Sequence, residues 1–403
     1  MSLKVLYVYG HAGRKPQSVQ NKIMSQIEYL NEAGVLCDGA FFSIEVSSEE
    51  QVAEHIRLIP YEKSQRQFLR HLNQTGIMLE RVYEYITANH EKYDLIYLRY
   101  PGSHPALLKL ARKFGHKLCI EHNSKEGLEI IGLGQNFRPL WKPAGFLGFL
   151  AFVIIPLLLE CTIGVLVRRN VLFATCVSSD MAQYQKRLSF GRLKCYPIGN
   201  GINVEKNPLR RSPVFDGAEL DILFLKGSSG NAPWNGLDRL ICGMAKYTGP
   251  VEIRLHIVGN RVPGEVEIPR EIESKVVFTG YLEGEALDKM FDKCHIACGT
   301  LGLFRSKQKE NATLKVRNYI VRGIPFFYGY TDIDLADKPD AKRWSEELEN
   351  NGSPVNMQEI IRFAHNALYP GHERQMREFA VSHLDYRVKM RELAALLMKE
   401  SGV

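Results

Sequence analysis

The sequence predicts an α/β protein of two Rossmann-like domains facing each other across a cleft. Three observations predict this. Short β-branched runs alternate with amphipathic stretches from one end to the other, the pattern of parallel sheets with crossover helices. The alternation stops once, over a stretch with two prolines and no periodicity, and then restarts. Finally, 403 residues are enough for two domains with separate buried cores.

In the first domain, 1–204, the expected strands are 3–9, 35–42, 94–100, 117–122, 171–179 and 193–198. Helical periodicity is clearest over 64–90, where Phe68, Leu72, Met78, Leu79, Val82 and Tyr85 fall roughly on one face. Residues 205–218 read as a linker. The second domain, 219–383, restarts with strands at 221–227, 251–259, 275–280, 295–302 and 323–329. A polar helical pattern follows over 372–400, and a terminal helix at 384–403 could pack back on the first domain.

Composition narrows the partners. The 52 basic against 45 acidic residues give +7, too mild for a nucleic-acid-binding face but compatible with an anionic membrane surface. The start, MSLKVLYVYGHAG, lacks the succession of charged, apolar and small residues of a secretory signal, so a cytoplasmic location is expected. Eight cysteines scattered without a CxxC pair read as buried free thiols. Cys294 and Cys298, with His295 between them, read as the end of a buried strand and not as zinc ligands.

One stretch departs from the globular pattern. From Ala144 to Val167 the only charged residue is Glu160, and about 20 apolar residues suffice to cross a bilayer. A single crossing would separate the strands at 94–122 from those at 171–198, which should share one sheet. Pro156 divides the run into two pieces of about twelve residues, each too short to span, so a hairpin turning at Pro156 is expected. Arg138, Lys142, Arg168 and Arg169 flank both ends, which fits both ends staying cytoplasmic. Segment 144–167 therefore reads as a dipping or surface-lying anchor of a monotopic or peripheral protein at the cytoplasmic face of the cell membrane. The alternatives are a single-pass protein and a soluble cytoplasmic one with a buried helix pair.

The stretch richest in chemistry is KENATLKVRNYIVRGIPFFYG, 309–329. A polar basic loop leads into a helix that begins near Ala312 and ends at Gly323. The free N–H groups and positive dipole end of such a helix suit a phosphate, and Arg305, Lys307, Lys309 and Lys315 add cationic donors. CIEHNSKEGLEI, 119–130, leaves a strand end where α/β sheets place ligands, so Glu121, His122 and Glu129 could face the cleft. GHAGRKPQSVQNKI, 10–23, follows the first strand, and its glycines permit close backbone approach.

In order along both domains, these stretches resemble those of GT-B glycosyltransferases of family 4 type, particularly bacterial enzymes of surface polysaccharide assembly. That family's signature is two glutamates separated by seven residues, followed by a helix ending in Gly-x-Pro. Glu310 stands at the first position, Asn318 at the second, and Gly323, Ile324 and Pro325 complete it. IGNGINVE, 198–205, is similar to the Asn-Gly-Ile/Val-Asp stretch that closes the first domain, with Asn203 where Asp is usual. WNGLDRLI, 234–241, resembles the Lys-Gly-x-Asp helix start whose lysine reaches the diphosphate. Here Asn235 occupies the lysine position, leaving Lys226 or Arg305 as substitutes. The 10–23 stretch resembles the first loop, which approaches the donor phosphates.

The resemblance implies a GT-B fold and a retaining transfer of a sugar from a nucleoside-diphosphate donor to a polysaccharide or lipid-linked oligosaccharide acceptor. It implies a catalytic role for Glu310; His122, from its place at a strand end, is the second catalytic candidate, with hydrogen bonding within its own loop as the alternative. Donor contacts would come from Gly13, Lys226, Asn235, Arg305, Lys309, Thr313, Leu314, Lys315 and Asn318, with Glu121 and Glu129 on the acceptor side. Asn318 departs from the pattern, since an amide can hydrogen-bond a ribose hydroxyl but lacks the charge-assisted strength of a carboxylate.

No cofactor is implied. Asp332-Ile333-Asp334 spells the DxD that holds Mn²⁺ or Mg²⁺ in GT-A enzymes, but it comes very late for that fold. Helix dipole and cations would then neutralise the leaving diphosphate without a metal. Two other readings stay open. A GT-B-fold nucleotide-sugar epimerase has a soluble substrate, which the membrane-type segment argues against. A catalytically degenerate scaffold or binding protein is suggested by the asparagines at 203, 235 and 318. No GxGxxG follows a strand, which disfavours an NAD-dependent oxidoreductase.

Overall fold

The computed structural model describes residues 2–10, 17–65, 69–134, 143–226, 232–262 and 264–402. Gly13, Arg138 and Lys142 lie outside the described residues. The chain divides into two compact units, Met1–Gly199 with Tyr386–Val403, and Asn200–Asp385.

The first unit is built on an eight-stranded sheet. Its strands are β1 (Lys4–Gly10), β2 (Leu36–Ser43), β3 (Glu50–Ala53), β4 (Ile56–Pro60), β5 (Leu95–Arg99), β6 (Leu118–His122), β7 (Phe173–Cys176) and β8 (Cys195–Pro197). They lie in the order β3-β4-β2-β1-β5-β6-β7-β8, parallel except where β3 meets β4. β1 is buried from Val5 to Gly10, and a strand apolar on both faces belongs in the middle of a covered parallel sheet. Chain order reverses between β1 and β5, the kind of switch point that leaves a crevice at the strands' carboxyl ends. The terminal helix Tyr386–Ser401 packs on the helix Gln17–Glu32, with Tyr386 stacked on Tyr29 at 6.1 Å.

The apolar segment forms one continuous helix, Gly145–Arg169, long and apolar enough by length and composition to cross a membrane. The expected hairpin at Pro156 is not formed. A proline inside an α-helix loses one hydrogen bond and clashes with the carbonyl four residues back. Here wider π-helical turns at Leu150–Ile154 and Glu160–Gly164 flank it and absorb the misfit without reversing the chain. β6 and β7, which precede and follow this region, are hydrogen-bonded neighbours, so the two ends of the segment belong to one sheet and a single crossing does not fit. Nor is this a core helix, because only 22% of its apolar window is buried. Val153, Glu160, Gly164 and Val167 turn inward, while Phe146, Phe152, Leu158 and Leu166 face outward.

The second unit carries a six-stranded parallel sheet and a two-stranded one. The strands are β9 (Glu219–Leu225), β10 (Glu252–Val258), β11 (Val276–Gly280), β12 (Ile296–Cys298), β13 (Glu310–Asn311), β14 (Phe326–Tyr328), β15 (Thr331–Asp332) and β16 (Ser345–Glu347). The large sheet runs β11-β10-β9-β12-β14-β16, with its switch point between β9 and β12, and β13 pairs with β15. Residues 205–218 belong to this unit and are docked on it: the buried Arg210 guanidinium donates to the carbonyls of Gly323 and His295, both at 3.1 Å. The helix Leu314–Arg322 stops at Gly323, whose φ of +77° and contact with Glu373, 2.7 Å from where a Cβ would sit, admit only glycine.

Candidate active site

Around the switch point of the second sheet stand three candidate side chains from three elements, two of them in contact. Lys226 follows β9, Asn235 ends the short turn Pro233–Asn235, and Lys315 lies in the first turn of the helix Leu314–Arg322. Lys315 Nζ donates to Asn235 Oδ1 at 2.7 Å and lies 4.8 Å from the Phe224 ring centre. Lys226 Nζ donates to the Asn260 carbonyl at 2.7 Å and pairs with Glu265 at 2.5 Å. Burial pushes the Lys315 pKa down to about 8; Cys298 and Glu265 pull it up, while Lys226 lowers it further.

Asn235 Nδ2 is buried and has no hydrogen-bond partner. Such an orphaned donor costs about 1–3 kcal/mol. A ligand oxygen at this point would remove that cost. Thr313 precedes the helix, but its hydroxyl is shared with Tyr330 Oη at 2.7 Å and does not cap it, so the first backbone N–H groups of Leu314 and Lys315 have no side-chain cap. Two lysines, one glutamate, an orphaned amide and an uncapped helix start form an anion-binding arrangement.

The local sequence explains how this turn is held. Gly236 has φ +70°, and a Cβ there would stand 2.6 Å from Gly302 N. Asp238, in the first turn of the helix Leu237–Lys246, receives both Arg305 terminal nitrogens at 3.0 and 2.6 Å, and Arg305 also donates to the Pro233 carbonyl at 2.6 Å. Arg305 therefore braces the turn with its charge matched. The cation that meets Asn235 is Lys315, not Arg305 or Lys226.

Glu310 opens β13, half-buried, with exposed Lys309 beside it, and the pairing of β13 with β15 holds both just ahead of the helix. Asn318 is engaged within the helix: its Nδ2 donates to the Leu314 carbonyl at 2.9 Å and its Oδ1 accepts from Arg322 at 2.8 Å. The DxD carboxylates are also taken. Wholly buried Asp332 accepts two hydrogen bonds from Arg317, at 2.7 and 3.0 Å, and Asp334 pairs with the same guanidinium at 2.5 Å. Burial raises the Asp332 pKa while Arg317 opposes the rise. Among the described residues no group of three or more His, Cys, Asp or Glu side chains could hold a metal ion.

In the first unit the candidate residues gather at the carboxyl ends of β5 and β6. Glu121 is buried, with Lys22 Nζ at 2.7 Å on one oxygen and Tyr7 Oη at 2.6 Å on the other. Burial alone would raise its pKa, but Lys22 and Arg99 bring it down to about 2. Both oxygens are thus committed to the fold. His122 is fully buried, its Nδ1 is 2.6 Å from Glu126 Oε1, and its Nε2 has no partner. Glu129 sits half-buried on the same helix as Glu126, Glu126–Leu133.

Sequence reasoning missed Glu126, Arg99 and Asn123. Arg99 Nη1 and Asn123 Nδ2 are buried without hydrogen-bond partners, and Lys22 Nζ donates to Asn123 Oδ1 at 2.9 Å. The signals were present: Arg99 ends a strand next to the switch point, and Glu126 lies in the loop-to-helix stretch that leaves the strand end carrying His122.

No family model and no curated protein matches the sequence. Solved structures do match over almost the full chain. Sucrose-phosphate synthase from Thermosynechococcus elongatus aligns with TM-score 0.67 and 13% identity over 98% of this chain and 98% of its own. HepE from Anabaena, solved with UDP and glucose, gives 0.61 and 14% over 98% and 100%. Trehalose-6-phosphate synthase OtsA gives 0.60 and 10% over 99% of each chain. With two units, each on a parallel sheet, and these likenesses end to end, the chain has the GT-B fold.

Proposed function

We propose that this protein is a retaining glycosyltransferase that moves a sugar from a nucleoside-diphosphate donor to a polysaccharide or lipid-linked oligosaccharide acceptor at the cytoplasmic face of a membrane. The observation that carries the reading is the Lys226–Asn235–Lys315 cluster beside an uncapped helix start, which suits a diphosphate. A neighbour of the same fold solved with UDP-glucose supports a nucleotide sugar as the donor class.

In this reading Glu310 positions the donor sugar and stabilises positive charge at its anomeric carbon. The bond from that carbon to the diphosphate oxygen breaks while the bond to the acceptor oxygen forms on the same face, and the acceptor proton passes to the departing diphosphate. Lys315 and the first N–H groups of the helix neutralise the leaving charge, with Lys226 held beside them by Glu265, so no metal is required. Asp332 and Asp334 are already neutralised by Arg317. In the first unit, the unpartnered His122 Nε2 is assigned a hydrogen bond to a hydroxyl of the sugar or of the acceptor. The outward apolar face of Gly145–Arg169 supports attachment to the membrane that holds a lipid-linked acceptor.

Thermal unfolding with UDP, GDP, ADP and dTDP tests this, since a ligand at about 100 times its dissociation constant adds about 2.7 kcal/mol. Metal-independent stabilisation by one nucleotide, lost in Lys315→Ala, is the expected result. If no nucleotide shifts the midpoint, the transferase reading gives way to a scaffold.

A further inference from the structure

The apolar helix Gly145–Arg169 ends beside an unusual turn. The Arg169 guanidinium lies 6.0 Å from the ring centre of Phe190, which follows the helix Ser179–Leu188. Phe190 is 76% exposed and has φ +56°. A left-handed backbone is disfavoured for any residue with a Cβ and an outlier for a bulky one. Gly191, next in line, adopts φ +81° freely. The fold locks the turn: Gly191 N donates to the Lys186 carbonyl at 2.9 Å, and Leu193 N donates to Ser189 Oγ at 3.0 Å. A large apolar ring is therefore held out in water on a backbone that glycine would take without strain. Packing within the chain does not account for it, and an outlier of this kind points to function.

The charge around the ring is one-sided. Residues 181–194 contain no acidic side chain. Lys186, Arg187 and Arg192 are exposed, as is Arg169. Lys194 pairs with Glu400, but among the described residues none of the other four has a carboxylate partner within ion-pair distance.

We propose that the Phe190 turn, with Arg169, Lys186, Arg187 and Arg192, reads anionic lipid: it docks on a bilayer surface bearing phosphate headgroups. The proposal rests on reading Gly145–Arg169 as membrane-lying. Two features select a bilayer as the occupant. The turn continues from the outward apolar helix through the Arg169–Phe190 contact, and an exposed Phe ring buries its apolar area at the headgroup–acyl boundary, where unneutralised basic residues meet anionic phosphates. The helix supplies apolar contact and the turn supplies selectivity for charge.

Cosedimentation of the full chain with vesicles tests this, using phosphatidylcholine alone and phosphatidylcholine mixed with phosphatidylglycerol. The wild type is expected to bind the mixed vesicles more tightly, with salt reducing the difference. Removing the four charges (R169Q, K186Q, R187Q, R192Q) is expected to abolish that preference, at about fivefold per residue, while binding to phosphatidylcholine persists. Phe190→Gly removes the ring and relaxes the backbone. It should weaken vesicle binding without lowering the thermal midpoint. Retention of the phosphatidylglycerol preference in the four-charge variant, or wild-type binding by Phe190→Gly, overturns the proposal. A wild type that binds phosphatidylcholine with no preference for phosphatidylglycerol overturns it too and leaves the membrane reading standing. A wild type that binds neither vesicle sinks both. Nucleotide-induced stabilisation, measured on the same variants, reports separately on sugar transfer and should stay unchanged.

Discussion

Glu160, the single charged residue between Ala144 and Val167, is buried against Arg168 two helical turns later. The same carboxylate accepts from Ser103 Oγ at 2.5 Å and Tyr100 Oη at 3.0 Å. This pairing fixes the rotation of the apolar helix: the charge faces protein, and Phe152 and Leu158 consequently face outward. Breaking a buried ion pair by removing one partner costs roughly 3–5 kcal/mol, whereas replacing both by apolar groups can be nearly neutral. Glu160→Leu should therefore lower stability in urea denaturation by about that amount, and adding Arg168→Leu should restore only part of the loss, because Arg168 also donates to Gln185 and Glu126. If the single change costs nothing, the pair does not hold the helix.

Buried His122 and half-buried Glu126 form the second pair that matters, because the free Nε2 of His122 is the group assigned to the sugar or the acceptor. His122→Ala should leave nucleotide-induced stabilisation intact and lower kcat/KM by about 10–100-fold, the loss of one strong hydrogen bond in the transition state. Glu126→Gln should have a smaller effect of the same kind. Steady-state kinetics of sugar transfer, set beside thermal shifts with whichever nucleotide stabilises the wild type, separates this from a general loss of fold.

Glu121 titrates in a different window. Its folded pKa of about 2 lies below the ordinary 4.5, so it binds fewer protons when folded. Its stabilisation is complete above about 4.5 and is lost as pH falls through about 2. Glu121→Gln should be less stable than the wild type by roughly 3 kcal/mol at neutral pH. The gap should close on acidification. A gap that persists at pH 2 would show that packing, not charge, accounts for it.

Much of this was legible because burial and periodicity are local properties. The run KVLYVYG could only be a covered strand, and Gly323 before Pro325 marked a helix end. Partner choice was not local. Arg305 looked free for a diphosphate because Asp238 stands 67 residues away. Asp332 and Asp334 looked like a metal motif because the Arg317 that neutralises them lies on the preceding helix. The short strands β3, β4, β13 and β15 lack the apolar alternation that identifies longer ones. At Pro156 the failure was one of geometry: the rule that proline breaks a helix presumes α turns, and here π turns flank the proline.

Lys315 should make the proposed nucleotide site sensitive to alkali. Its pKa falls from 10.5 to about 8 because burial disfavours the ammonium, with Glu265 and Cys298 opposing and Lys226 reinforcing the shift. Between about 8 and 10.5 the unfolded chain binds more protons than the folded one at this residue, so Lys315 makes stability rise with pH in that window. A bound diphosphate needs the charged form. Its dissociation constant should be nearly flat below pH 7 and then rise, approaching about tenfold per pH unit above pH 8. Binding in that range should take up a proton, visible as a buffer-dependent enthalpy in calorimetry. Lys315→Met should weaken binding at pH 7 and remove both the rise and the proton uptake. Buried thiols and phenols such as Cys37, Cys298, Tyr97 and Tyr319, whose pKa values burial raises, make overall stability fall over the same range, so the stability difference between the wild type and Lys315→Met, expected to rise with pH while affinity falls, identifies Lys315 as the titrating group.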